Sequence, residues 1–165
     1  MTDRPASAII LPLGGTSMPL LHEQVVRSRI ESRLRALTPD RRSLWGKMSV
    51  DQMLWHLNEA LAGALGEIDM APPVRKPPIP GWLMKFLVIN VPWGKGAPTM
   101  PAFVAKRQYD FEAERTRSLR LLQALVDRPI DGEWPRNPLF GAVTGRDVSR
   151  LHAKHFDHHL RQFGV

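Results

Sequence analysis

Apolar residues recur along this chain at spacings of three and four, the period of helices with one buried face. Over residues 20–37, Val26, Ile30, Leu34 and Leu37 share one side of a first helix. After "TPDRRSLWGKM", Ser49 with Gln52 reads as a capping box. It opens a second helix that runs to about Gly66, with Val50, Met53, Leu54, Leu57 and Leu61 inward. Pro101 suits the first turn of a third helix reaching about Asp127, whose apolar arc holds Val104, Phe111, Leu119, Leu122 and Val126. A loop, "RPIDGEWPRNPLFGAV", leads to Thr144, which with Asp147 caps a fourth helix that Gly164 ends. Val148, Leu151, Phe156, Leu160 and Phe163 form the apolar arc of this last helix.

Residues 67–100 are rich in proline and predict a long structured crossover between the second and third helices. Within it "GWLMKFLVIN" is apolar enough for a short helix or an apolar flap. Residues 1–17 read as an extended lead-in, and residues 18–165 as one domain. No strand-period segment of useful length and no internal repeat is present. Short connections at both ends and one long crossover predict an all-α fold, a four-helix bundle.

Composition narrows the chemistry. At 165 residues the chain can bury a sizeable core without staples. It has no cysteine, which excludes disulfides, thiolate metal sites and cysteine nucleophiles and fits a cytoplasmic protein. "AIILPL" is too short and too interrupted by proline for a membrane span, and it lacks the flanks of a signal peptide. The net charge of +7 raises the question of nucleic acid. However, Arg27, Arg29, Arg33 and Arg35 lie far along the chain from Arg115, Arg117 and Arg120, with no interleaved aromatic residues. A solvated basic surface is the expectation, with neither nucleic acid nor membrane as partner.

The last helix carries the chemical signal. In "LHAKHFDHHLRQFG", His152, His155 and His159 fall inside the apolar arc and His158 at its edge. A single core imidazole can be satisfied by a backbone carbonyl, but three in three turns are hard to explain as packing. Residues four apart lie about 40° apart around a helix and about 6 Å along it, so His155 and His159 can share one ion. His152 with His155 is the alternative pair, and it would leave His159 as an unexplained polar core group. His152 and His159, about 10 Å apart along the axis, cannot easily do so. A third ligand is needed, and His56 in "QMLWHLNEAL", at the border of the second helix's apolar face, is the candidate. His22 is expected at the surface.

Three neutral nitrogens and no carboxylate suit Zn²⁺, Ni²⁺ or Cu²⁺ better than Mg²⁺ or Ca²⁺. Three protein ligands leave coordination positions open, where a water would become acidic enough to act as nucleophile or base. Arg115, in the middle of the third helix's arc, is either a clamp for a substrate carboxylate or one half of an ion pair. Gln162, one turn beyond the histidine pair, either orients a ring nitrogen or packs the helix end. Trp45, Trp55, Trp82 and Trp93 are packing anchors or the lining of a cavity beneath the crossover.

A histidine in the second helix, followed by His155, His158, His159 and Gln162 as His-x-x-His-His-x-x-Gln, resembles the DinB/YfiT-like metalloenzyme superfamily. The strings "LWGKMSVDQMLWHLNEAL", "NPLFG" and "KHFDHHLRQFG" resemble a branch known mainly as a domain of unknown function. The similarity spans roughly residues 25–165. The resemblance implies an up-down-down-up four-helix bundle, often a homodimer, with Ni²⁺ or Zn²⁺ held by His56, His155 and His159. It implies a small-molecule substrate and thiol-dependent transfer or isomerisation with a low-molecular-weight thiol, although many members have no assigned activity. Asn137 stands in "NPLFG" where this branch would carry a histidine, which is a departure from the pattern. A metal-dependent transferase or hydrolase is the leading expectation. A non-catalytic bundle that the metal merely ties together is the second.

Overall fold

A computed structural model describes residues 18–70, 78–96 and 99–165, and the expected lead-in at 1–17 lies outside them. The described residues are all-helical, with five α-helices: α1 (Gln24–Arg35), α2 (Val50–Leu65), α3 (Gly81–Asn90), α4 (Phe111–Asp127) and α5 (Gly145–Gln162). No strand occurs among them, only an isolated bridge between Asn137 and Gly141.

Local signals explain most of the boundaries. The Gln52 side chain accepts from the Ser49 N–H at 3.1 Å, opening α2 as a capping box does. At the other end Gly66 takes a left-handed conformation, φ 79°, which a glycine adopts without penalty. At α5, Thr144 Oγ1 accepts from the Asp147 N–H and the Asp147 carboxylate accepts from the Thr144 N–H, both at 3.1 Å.

The four long helices share one core. Ile30 and Leu34 of α1, Met53, Leu54, Leu57 and Leu61 of α2, Leu121, Leu122 and Leu125 of α4, and Phe156 and Leu160 of α5 are buried together. The strongest packing joins α2 to α4. α5 packs against α1, α2 and α3, and so brings the histidine-bearing face next to α2 and the crossover helix. "GWLMKFLVIN" is α3, the short helix of the two forms expected.

The start of the third long helix differs from expectation. Pro101 opens only a 3₁₀ turn, Pro101–Phe103, and α4 begins at Phe111, where Asp110 accepts from the Ala113 N–H at 2.9 Å. The intervening strip is held on α2 by contacts that local spacing does not reveal. Tyr109 stacks on Trp55 with ring centroids 4.9 Å apart, and its N–H donates to Asp51 at 2.7 Å. Its buried face is also turned: Phe111, Ser118, Leu121, Leu122 and Leu125 point inward, and Val104 is exposed. No helix among the described residues is long and apolar enough to cross a membrane.

Candidate metal centre

α2 and α5 bring His56, His155 and His159 together in the interior. All three are buried, with one ring nitrogen of each lying within 4.8 Å of the others. His56 Nε2 and His155 Nε2 are 2.9 Å apart, and the three ring centroids are 4.8–4.9 Å apart. An ion about 2.0–2.1 Å from each nitrogen sets the nitrogens at about 3–3.4 Å from one another. One pair stands close to that spacing, and the third nitrogen lies within 4.8 Å of both.

The outer nitrogens decide whether the inner ones can bind. His56 Nδ1 lies 2.9 Å from the Phe103 carbonyl, which only accepts, so Nδ1 carries the proton and Nε2 presents a lone pair. At His159 the same result takes two steps. The Gln162 Nε2 amide donates to the Trp45 carbonyl at 2.7 Å, which turns Gln162 Oε1 toward His159 Nδ1, also at 2.7 Å. His159 Nδ1 therefore donates and its Nε2 is bare. Fixing of the outer nitrogen is the usual support for a metal-binding imidazole.

Burial is the largest cause of lowered proton affinity across the cluster. It lowers His56, with nearby His158 adding to the effect and the Phe103 hydrogen bond opposing it. His155 is held well below its usual 6.5, by burial first and then by the neighbouring imidazoles. His159 is pushed down to about 3 and His152 to about 4, again chiefly by burial. All are neutral at pH 7, the form that binds metals.

The triad opens onto a cavity of about 630 Å³ between α2, α5, α3 and the loops. Its wall is mainly apolar and includes Met48, Met100, Phe103, Leu139, Phe140 and Leu151. His152, His158, Gln162 and Asn137 also lie in this wall, and so do Trp45 and Trp93, which flank His158 at 6.0 and 5.6 Å. Trp55 and Trp82 do not: the first stacks on Tyr109 and the second is exposed. The Asn137 side chain is occupied by its own turn, accepting from the Leu139 and Phe140 N–H groups at 2.9 and 3.1 Å.

Arg115 takes the second of its two expected roles, the ion pair, and the placing of His22 needs correction. Arg115 is not in the cavity wall. Its guanidinium pairs with Glu112, donates to the Leu37 carbonyl at 3.3 Å and lies over Phe111. The clamp role disappears with the turned face of α4. His22 is half-buried instead of at the surface: its ring nitrogens lie 3.0 Å from Ser149 Oγ and 3.1 Å from the Arg128 carbonyl.

Sequence reasoning missed the parts that hold α3 over the site. Lys154 Nζ donates to the carbonyls of Val88, Ile89 and Val91, the C-terminal end of α3. Lys85 of α3 pairs with Asp147 at 2.9 Å. Both pairs span more than sixty residues, and no local pattern marks them. Compared with protein-family models, curated proteins and solved structures, the chain matches none.

Proposed function

We propose that this protein is a small metal-dependent enzyme of the DinB/YfiT-like kind, with Zn²⁺ or Ni²⁺ held by His56, His155 and His159. In this reading the long helices form an up-down-down-up bundle, and a homodimer in the cytoplasm is the expected form. The observation that carries the reading is the pair of fixed outer nitrogens at His56 and His159, which leaves the Nε2 of each without a proton, His56 Nε2 lying 2.9 Å from His155 Nε2. A packing role for these rings would not require both tautomers to be set the same way. The open cavity beside them favours catalysis over a purely structural ion, which protein groups would enclose.

A bound ion would supply Lewis-acid chemistry, lowering the pKa of a water or thiol brought to it. The chain's own residues do the rest. Phe103 and Gln162 orient two rings, the apolar wall excludes bulk water, and α3 covers the site. The reaction class is thiol-dependent transfer or hydrolysis of a small molecule. The test is spectroscopic: protein loaded with Ni²⁺ or Co²⁺ should change its visible spectrum on adding azide or a simple thiol. A spectrum that neither ligand alters would reject the catalytic reading in favour of a structural ion.

A further inference from the structure

His152 is a cavity residue that the metal reading leaves without a role. Its side chain is 2% exposed, and its Nδ1 is sealed from solvent with no hydrogen-bond partner. Among the described residues its Nε2 has no partner either. The ring lies in the cavity wall, and since Nδ1 is sealed, the small accessible part is the ring tip that carries Nε2. An orphaned N–H in a protein interior is rarer than a bare acceptor. The proton therefore sits on Nε2, where a bound molecule can take it as a hydrogen bond. The ring centre lies 6.2 Å from that of His155, so one small molecule can reach both His152 and the triad.

The rest of the wall restricts what that molecule can be. The wall contains no arginine, its lysine, Lys47, is exposed, and its carboxylate, Asp147, is already paired with Lys85 and the Thr144 N–H. Away from an ion held by the triad, nothing buried there would compensate a carboxylate or phosphate. We infer that the cavity takes a mainly apolar small molecule, uncharged away from the ion and bearing a hydrogen-bond acceptor such as a carbonyl oxygen, and that His152 donates to that acceptor. This rests on the reading of the cavity as the substrate site beside the triad. It makes His152 the group that selects the substrate, distinct from the groups that hold the ion.

The test compares three probes of similar shape: 2-acetylnaphthalene, its alkene isostere 2-isopropenylnaphthalene, and 2-naphthoate. Binding is followed by NMR titration of metal-free and zinc-loaded protein. A donor left unpaired by the alkene penalises that complex. The ketone-to-alkene affinity ratio should therefore fall about tenfold in His152→Leu and be largely kept in His152→Gln, which retains a donor. The His152 Nε2–H signal of the unmodified protein should move downfield with the ketone and not with the alkene. An unchanged ratio in His152→Leu, or tightest binding of 2-naphthoate to metal-free protein, would overturn the inference. Should His152→Leu fail to fold, the ring signal decides: no shift with the ketone is equally fatal. Loss of zinc binding with the ketone preference intact would count against the metal reading alone, and the reverse against this inference alone.

Discussion

Gln162 holds His159 in its metal-binding tautomer: the Gln162 carbonyl oxygen accepts the His159 Nδ1 proton at 2.7 Å. The amide cannot reverse, because its nitrogen is committed to the Trp45 carbonyl. Gly46, next in the chain, makes room for this arrangement. A Cβ there would lie 2.6 Å from Gln162 Nε2, and the backbone has φ +82°. Gln162→Leu should weaken zinc or nickel binding by about ten- to a hundredfold while leaving one ion per chain. Gly46→Ala, which disturbs the same amide from outside, should act in the same direction. Competition against a chromophoric chelator measures both.

Metal-free protein should lose stability in mild acid. His152 is neutral in the fold, with its pKa pushed down to about 4, whereas the unfolded chain binds its proton near the ordinary 6.5. The unfolded state thus holds more protons between these values, so stability falls as pH falls. The His152 contribution is complete above pH 6.5 and is lost progressively toward pH 4, on the order of 3 kcal/mol in all. His159, pushed down to about 3, acts with the same sign. Urea unfolding at pH 7 and pH 5 measures the loss, and His152→Leu should make it smaller.

Lys154 should govern how firmly α3 covers the site. Its ammonium caps the carbonyls at the helix end, of which that of Val88 also accepts from the Trp93 Nε1–H at 2.8 Å. Lys154→Met keeps the stem but removes those bonds. Amide exchange over residues 83–93 should accelerate, with a loss of global stability of about 1–2 kcal/mol. Exchange that speeds up equally in α2 and α4 would show instead that the lysine supports the whole core.

Much of this was legible in the sequence because it is local. Ser49 with Gln52 and Thr144 with Asp147 sit three apart, and the caps form where that spacing puts them. His155 and His159 needed only the helical period to be placed on one face, and His56 joins them because the leucines around it bury the same side of α2. Reasoning failed where distant contacts decide. Pro101 does begin a helical turn, but the stacking of Tyr109 on Trp55 and the Asp110 cap delay α4 to Phe111. The expected arc holds Leu119 and Val126 where Leu121 and Leu125 are fully buried, so the expected face is offset toward Arg115, which stands beside the buried face and is paired with Glu112. The partners of His22 and Lys154 lie more than sixty residues away and leave no trace in local spacing.

The central claim is that three imidazoles from α2 and α5 hold one ion. Metal content of gently purified protein, measured against His56→Ala, His155→Ala and His159→Ala after equal zinc or nickel loading and desalting, tests it most directly. About one zinc or nickel per chain is expected in the parent, with strong loss in every variant and folded α-helical spectra throughout. Full metal retention in both His155→Ala and His159→Ala, or no specific metal in the parent at any loading, would contradict it.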